Sequence, residues 1–265
     1  MYSTSRLAIN YLRHWFTAAS GKGHGIHSPF VFDFVTRVLN DRRPYPEYAR
    51  VDALRARLLQ DPSRLDVEDF GAGSAIHRSA RRPVSGIARH AAKSRKYGEL
   101  LFRMARYYQP ETILELGTSL GISTAYLSLA CPRASVTTIE GSPAIAARAE
   151  THFRELGLTR TRLVRGNFDE VLPGVLAGLP AIGLAFLDGN HRYEPTLHYV
   201  DRILARSGPS TILLLDDIHW SADMERAWDA CRKRREVTLS IDLFFVGILL
   251  MRPELREKLH FRIRF

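Results

Sequence analysis

The chain has 265 residues, of which 45% are hydrophobic and 25% charged, and its formal net charge is +10. These proportions are typical of a folded protein and exclude a disordered, collagen-like or low-complexity chain. The longest apolar run, residues 243–251, is far shorter than the roughly 20 residues of a membrane-spanning helix, so we expect no integral membrane segment. The two cysteines, Cys131 and Cys231, are too few for a disulfide framework or a cysteine-based zinc site, which favours a reducing, cytoplasmic location.

The first 110 residues carry the whole excess of positive charge, because 19 of them are basic and 9 acidic. A basic surface attracts RNA, anionic lipid or an acidic small substrate. However, 33 of the 38 basic residues are arginine, a bias that coding composition alone produces. The region also lacks the interleaving of basic and aromatic residues that is typical of single-strand binders. Nucleic acid is therefore an alternative partner rather than the leading one.

The N-terminal region is predicted to be helical. Its predicted helices are 7–18, 29–39, 52–60 and 85–108. A flexible turn is expected at residues 21–25 and a loop at 69–82, because glycine and polar residues cluster there. We expect this region, residues 1–92, to form a helical cap or substrate region over the sheet of a second domain, residues 93–265.

From residue 111 onward, short apolar runs alternate with helical windows. The predicted strands are 112–116, 135–139, 161–165, 182–187 and 211–215. The predicted helices are 122–129, 143–156, 169–177, 195–206 and 222–234. This alternation predicts an α/β fold of βαβ units with a parallel sheet that is buried on both faces.

The C-terminal tail breaks the alternation. Residues 236–243 and 244–251 are two apolar runs with no helix between them, so we expect an antiparallel hairpin. An ordinary dinucleotide-binding Rossmann domain would continue with a sixth parallel strand. Five parallel strands followed by a C-terminal antiparallel hairpin predict the Rossmann-like sheet of the class I methyltransferases.

The turn after the first of these strands has the features of a cofactor loop. Gly117 and Gly121 lie where the backbone must turn sharply and a ligand approaches closely. The helix that follows offers N–H groups and a partial positive charge to an anionic group. The spacing is not G-x-G-x-x-G, which favours a ligand without a pyrophosphate, such as S-adenosylmethionine.

Further cofactor contacts are predicted at the ends of the next two strands. Glu140 lies near the offset at which an acid takes ribose hydroxyls, and Asn167 and Phe168 are placed to hold an adenine. The segment 69–74 matches an Asp-x-Gly-x-Gly pattern better, but no strand precedes it and no apolar-periodic helix follows it. The predicted cofactor-binding residues are Glu115, Gly117, Thr118, Ser119, Gly121, Ser123, Glu140, Gly141, Asn167, Phe168 and Asp188.

Acidic and histidine residues follow the fourth and fifth strands. These residues are Asp188, His191, Asp216, Asp217 and His219. Because neighbouring strands of a doubly wound sheet bring their carboxyl ends together, we expect these side chains to share one small space. Crowded carboxylates repel one another unless a cation offsets their charge. The cluster therefore predicts a metal site of Asp188, Asp216 and Asp217, suited to Mg²⁺.

With these motifs, the chain resembles the class I S-adenosylmethionine-dependent O-methyltransferases of the catechol O-methyltransferase-like group, in its Asp-Gly-x-His-x-Tyr variant. The resemblance covers residues 94 to about 251 and implies that the loop glycines and Glu140 bind the cofactor. It also implies that Asp188, Asp216 and Asp217 are metal ligands. Asp217 departs from the asparagine of the family pattern, and His191 stands where the catechol enzymes carry a basic lysine.

The resemblance implies O-methylation of a small hydroxylated acceptor, assisted by Mg²⁺. In the predicted reaction, Asp188 helps to hold the metal, and His191 or His219 removes the acceptor proton. Histidine suits that role because its ordinary pKa of about 6.5 lies near working pH. For His24 and His27, a turn-stabilising role is favoured over a role in the site.

Two alternative functions remain at this stage. One is an RNA methyltransferase, for example on a hydroxylated tRNA base, with the basic cap tracking phosphates. The other is a non-catalytic protein that keeps the cofactor but lacks turnover. The N-terminal helix and the tail strands are also candidate homodimer surfaces, and the acceptor itself is not predicted.

Overall fold

A computed structural model describes residues 1–23, 26–67, 80–90 and 94–265. The helices are α1 (Thr4–Thr17), α2 (Pro29–Phe34, continued by a π-helical turn Val35–Leu39), α3 (Pro46–Gln60), α4 (Val84–His90), α5 (Arg95–Tyr108), α6 (Ile122–Ala130), α7 (Pro143–Glu155), α8 (Phe168–Gly178), α9 (Tyr193–Leu204) and α10 (Ala222–Arg232). The strands are β1 (Arg64–Val67), β2 (Ala80–Pro83), β3 (Thr112–Leu116), β4 (Ser135–Glu140), β5 (Thr161–Arg165), β6 (Ile182–Leu187), β7 (Ser207–Asp216), β8 (Leu239–Asp242), β9 (Val246–Leu250) and β10 (Leu259–Arg262).

The chain divides into two compact units. The central unit is Arg42–Pro180, and the split unit combines Met1–Asp41 with Ala181–Phe265. No helix in the described part of the chain is both long and apolar enough to cross a membrane. The predicted boundary between residues 92 and 93 remains a prediction.

The central unit contains a parallel sheet in the order β3-β4-β5. All five residues of β3 are buried, as expected for a strand covered on both faces. Helices α5 and α6 approach each other closely at Gly98. A Cβ at this position would clash with the ring of Tyr126. The second sheet of this unit is an antiparallel pair in which Arg64 of β1 faces Pro83 of β2.

The split unit contains strands in the order β10-β8-β9-β7-β6. Strands β6 and β7 are parallel, whereas β9 runs antiparallel to both β7 and β8. A Cβ on Gly247 would lie 2.5 Å from the ring of Trp228, so α10 packs tightly on β9. Strands β3 to β7 are the five predicted parallel strands and β8–β9 is the predicted hairpin, which confirms the predicted fold class.

Four elements differ from the sequence-based expectations, and one of them, β1, was not predicted. Residues 80–82, expected to be loop, belong to β2, and the rest of that expected loop, 69–79, lies outside the described residues together with the 69–74 motif. The expected helix 85–108 is divided into α4 and α5, with residues 91–93 outside the described residues. Strand β10 was not predicted, and it pairs in parallel with β8.

Helix α1 is fixed to the rest of the split unit along one face. The Tyr11 ring packs edge-on against Phe244 at 5.1 Å between centroids, and His14 is buried. At the start of the helix, the Tyr2 hydroxyl donates to the Glu225 carboxylate at 2.7 Å. The opposite face of α1 is exposed and includes Ile9, Leu12 and Phe16.

Candidate active site

The loop between β3 and α6 needs glycine at two positions. Gly117 and Gly121 both have positive φ angles, of 102° and 83°, which side chains with a Cβ rarely adopt. A Cβ on Gly121 would also lie 2.6 Å from the Phe153 ring. The N–H groups of Gly117 and Thr118 both donate to the Ile139 carbonyl. The loop therefore has a fixed shape anchored on β4.

Glu115 lies beneath this loop and is fully buried. Its Oε2 accepts hydrogen bonds from the hydroxyls of Thr124, at 2.5 Å, and Thr138, at 2.6 Å. The Thr138 hydroxyl is also 2.6 Å from the Thr118 hydroxyl. This buried network joins β3, β4, the loop and the first turn of α6, so Glu115 supports the loop. Its predicted contact with the cofactor itself remains a prediction.

Glu140, at the end of β4, presents a carboxylate held by the backbone. Ser119 donates its N–H to Oε2 at 2.8 Å, and Ser142 donates its N–H to Oε1 at 2.9 Å. Burial raises the pKa of the Glu140 carboxyl, and hydrogen bonds from the N–H groups of Ser142, Ser119 and Gly141 oppose that effect. An ionised carboxylate has about four acceptor sites, so both oxygens keep capacity for hydroxyl donors.

The remaining predicted cofactor residues lie around the same strand ends. Thr118 and Ser123 are buried, and Ser119 and Gly141 are half-buried. After β5, Asn167 caps α8 by accepting the Asp169 N–H at 3.0 Å. Phe168 is half-buried in the first turn of that helix. Their proposed contacts with an adenine remain predictions.

In the split unit, a second cluster brings together Asp188, His191 and Asp216. One ligand atom from each lies within 4.8 Å of the others, and His191 Nε2 is 3.8 Å from Asp188 Oδ1. The cause is the strand register, because Leu187 at the end of β6 pairs with Leu215 of β7. Asp188 follows Leu187 directly, and Asp216 is the last residue of β7. Asp216 is buried, and the other two are half-buried. Two carboxylates and an imidazole are a suitable donor set for a divalent cation.

A residue that was not predicted from the sequence, Asn190, shapes the loop that carries His191. Asn190 is buried with a positive φ of 51°, and its amide nitrogen donates to the Tyr199 hydroxyl at 3.0 Å. Its side-chain oxygen accepts from Arg192 Nε at 2.8 Å. Asparagine tolerates left-handed backbone better than most residues. In the sequence, an asparagine directly before the histidine is the signal that could have indicated this left-handed turn.

The structure places Asp217 differently from the three grouped residues. Asp217 follows Asp216 with a φ of 53°, and its N–H donates to the Phe245 carbonyl at 2.6 Å. Within the described part of the chain, the group of side chains close enough to hold a metal ion does not include Asp217. Its predicted role as a ligand therefore remains a prediction.

His219 lies in a different cluster of the split unit. Its Nε2 is 2.9 Å from Asp242 Oδ2 and its Nδ1 is 3.2 Å from Glu225 Oε1. Burial alone would lower the pKa of His219, but the hydrogen bonds and charges of Asp242 and Glu225 outweigh burial and raise it. Both ring nitrogens of His219 thus already face carboxylates. Its predicted role as the proton acceptor, like that of His191, remains a prediction.

The predicted turn-stabilising role of His24 and His27 remains a prediction. His27 is exposed in the split unit. His24 lies outside the described residues.

Residues 114–218 match a family model described as a methyltransferase domain. The matched range includes the cofactor loop, Glu140 and the Asp188–His191–Asp216 cluster. Fold and site together therefore define the chain as a methyltransferase of the Rossmann-like α/β class.

Individual relatives make the family more specific. A Mycolicibacterium smegmatis protein named "Putative O-methyltransferase" is 30% identical over 167 residues, which is 62% of this chain and 76% of the relative. A catechol O-methyltransferase of Niastella koreensis is 31% identical over 124 residues, 46% of this chain and 55% of the relative. The match thus spans little more than half the length of that catechol enzyme. The chain therefore belongs to the O-methyltransferase family, with the Rossmann-like fold of the class I S-adenosylmethionine-dependent methyltransferases.

A solved structure agrees with this fold. The O-methyltransferase TomG of Streptomyces achromogenes, in complex with SAM, has a TM-score of 0.56 and 18% identity. The alignment covers 95% of this chain and 100% of that one. The likeness shows that the fold extends over nearly the whole chain.

Proposed function

We propose that the protein transfers a methyl group from S-adenosylmethionine to a hydroxyl oxygen of a small acceptor, with the help of Mg²⁺. The observation that carries the proposal is the meeting of Asp188, His191 and Asp216 within 4.8 Å in a chain of the O-methyltransferase family. The catechol O-methyltransferase relative makes a vicinal dihydroxy compound the first acceptor to test.

The cofactor is assigned to the central unit. The Glu140 carboxylate would accept hydrogen bonds from the two ribose hydroxyls, and the loop from Gly117 to Gly121 would let the amino acid portion approach the backbone. No pyrophosphate has to be held, in agreement with a loop that has two glycines rather than three. When bound, S-adenosylmethionine supplies an electrophilic methyl group on its sulfonium.

The acceptor is assigned to the acidic cluster of the split unit. Asp188 and Asp216 supply the carboxylate oxygens that hold the cation. Bound there, a divalent cation supplies positive charge that lowers the pKa of an acceptor hydroxyl. His191 would take the hydroxyl proton, which frees the acceptor oxygen to receive the methyl group that bound S-adenosylmethionine would supply. Positioning of the two reactants contributes most of the rate enhancement.

Titration calorimetry separates these assignments without relying on turnover. Asp188→Asn and Asp216→Asn are expected to lose measurable Mg²⁺ or Mn²⁺ binding while S-adenosylhomocysteine binding is kept. Asp201→Asn is the matched control, because Asp201 is an exposed acid on α9. Metal affinity that is equal in all three variants would contradict the proposed cation site.

Turnover of a catechol, followed by mass spectrometry, tests the role of His191. His191→Ala is expected to lower turnover by about 10²- to 10⁴-fold while metal affinity stays unchanged. His198→Ala, an exposed histidine on α9, is the control. If metal affinity falls in parallel with turnover, His191 is a ligand and not the base.

The same assays distinguish other acceptors. Methylation of tRNA, with RNA affinity that falls steeply as salt rises, would replace the small acceptor by nucleic acid. Binding of the cofactor without transfer to any hydroxyl would indicate a non-catalytic protein. A cytoplasmic location remains a prediction, supported by the buried free thiols of Cys131 and Cys231. The homodimer is also still a prediction.

A further inference from the structure

Helix α1 carries large apolar side chains on a face that does not contact the protein core. Ile9, Leu12 and Phe16 are 64%, 54% and 77% exposed. Their spacing of three and four residues aligns them along one side of the helix, and we call them the outer stripe. The opposite face of α1, with Tyr11 and the buried His14, packs against the core. Packing within the chain does not explain the apolar side chains of the outer stripe.

Basic residues border the outer stripe. Arg6 and Arg13 are exposed and lie three residues before and four residues after Ile9, so they share one flank of the helix. Trp15 lies on the other flank and is partly exposed. The first 32 residues contain three basic residues and no acidic ones. This surface is apolar in the middle, basic along one side and without compensating acids on its own helix.

The size of this surface favours a lipid surface over a second copy of the chain. A helix of 14 residues is about 21 Å long and roughly 10 Å wide, so one face covers on the order of 200 Å². A stable protein dimer buries about 800 Å² on each partner. Interfacial helices, by contrast, insert one face of this kind at the boundary of headgroups and acyl chains, with basic residues beside it.

We propose that α1 binds the surface of an anionic membrane. The outer stripe enters the headgroup–acyl boundary, and Arg6 and Arg13 contact lipid phosphates. The inner face stays fixed to the split unit through Tyr11, and Tyr2, just before the helix, bonds to Glu225, so the helix is already folded before it binds. The membrane surface is a partner beyond the methyl transfer proposed above and is independent of it.

Co-sedimentation of the full chain with vesicles tests the proposal. Vesicles of phosphatidylcholine alone are compared with vesicles containing 30% phosphatidylglycerol, at low and at moderate salt. Binding is expected only to the anionic vesicles, and it should weaken as salt rises. The double variant Leu12→Ser with Phe16→Ser is expected to bind at least about tenfold more weakly, because two large apolar side chains no longer insert.

Matched variants separate this helix from the general positive charge of the chain. Arg6→Gln with Arg13→Gln removes two charges from α1, and Arg133→Gln with Arg160→Gln removes two exposed charges from the central unit. Only the first pair is expected to weaken binding. Leu59→Ser, at a 37% exposed leucine of α3, controls for loss of an exposed apolar residue.

Two outcomes would overturn the proposal. Equal losses in the two arginine pairs would mean that net charge, not α1, attracts the vesicles. Absence of vesicle binding, together with a dimer in sedimentation velocity that Leu12→Ser with Phe16→Ser dissociates, would assign the outer stripe to a second copy of the chain.

Discussion

Glu140 is a half-buried acid whose two oxygens already accept hydrogen bonds from backbone N–H groups. Because burial raises the pKa of its carboxyl, Glu140 takes up a proton at a higher pH than an ordinary glutamate. In the proposed function, the ionised carboxylate is the form that would accept hydrogen bonds from both ribose hydroxyls. Affinity for the cofactor should therefore be constant near neutral pH and weaken as pH falls towards the raised pKa.

This pH dependence is measurable by calorimetry with S-adenosylhomocysteine between pH 8 and pH 5. Glu140→Gln is expected to bind roughly 10- to 100-fold more weakly at neutral pH, since hydrogen bonds to a charged acceptor are lost, and its affinity should vary less with pH. Glu111→Gln, at an exposed position before β3, should behave as the wild type. A Glu140→Gln protein with the wild-type pH profile would show that another group titrates.

Gly121 and Gly174 form a matched pair for testing the cofactor loop. At Gly121, alanine meets both an unfavourable φ of 83° and the Phe153 ring, so we expect a loss of at least about 2 kcal/mol and weaker cofactor binding. At Gly174, within α8, a Cβ has no atom within 4 Å, so alanine should stabilise by about 0.5–1 kcal/mol. Far-UV circular dichroism during urea unfolding measures both. Equal effects would contradict the described loop.

At the scale of elements, α1 and β8 are joined through one buried acid. Asp242 Oδ1 is 3.2 Å from His14 Nε2, and Oδ2 is 2.9 Å from His219 Nε2. Burial alone would raise the pKa of Asp242, but the hydrogen bonds and charges of His14 and His219 outweigh burial and hold it well below its usual range. The Phe244 N–H also donates to Oδ1 at 2.8 Å. The acid therefore anchors the N-terminal helix to the C-terminal hairpin.

We expect Asp242→Asn to destabilise the split unit by on the order of 3 kcal/mol at pH 7, because a buried ionic network loses its central charge. A depressed pKa stabilises above the unfolded pKa of about 3.9, and that contribution is lost as pH falls below it. The difference from wild type should thus be full at pH 5–7 and shrink below about pH 4.

Tryptophan fluorescence during urea unfolding measures this difference, since Trp15, Trp220 and Trp228 all belong to the split unit. Asp223→Asn is the control, because Asp223 is an exposed acid paired with Arg226 and such pairs contribute less than about 1 kcal/mol. If Asp242→Asn costs no more than Asp223→Asn, the buried network does not anchor α1.

The elements that the sequence predicted well share one physical property. Strands β3 and β6 are apolar runs buried on both faces. A continuous apolar run of this length predicts a buried strand directly. Strands β1, β2 and β10 were missed because they are short and mix charged with apolar residues. Their conformation depends on pairing, β1 with β2 and β10 with β8, which is information about partners that a local pattern does not contain.

At the scale of the whole molecule, each unit holds one part of the proposed chemistry. The sequence predicted the residues at the strand ends of both, because parallel strands align their carboxyl ends whatever the intervening loops do. The sequence did not predict that Asn190 orders the loop of His191. It also did not predict that the His14 ring contacts the Asp242 carboxylate. Those contacts join residues distant in the chain or depend on a single backbone angle, and neither leaves a periodic signal.

The segment that follows α1 contacts the last residues of the chain in the split unit. Ala19, just after α1, forms a parallel bridge with Ile263, and the Arg264 N–H donates to the Ala19 carbonyl at 3.2 Å. At the other end of α1, the Tyr2 N–H donates to the Trp220 carbonyl at 3.0 Å. Neither terminus is therefore a passive attachment point. Removing Tyr2, or the segment 263–265, would take away contacts that hold the N-terminal helix in place.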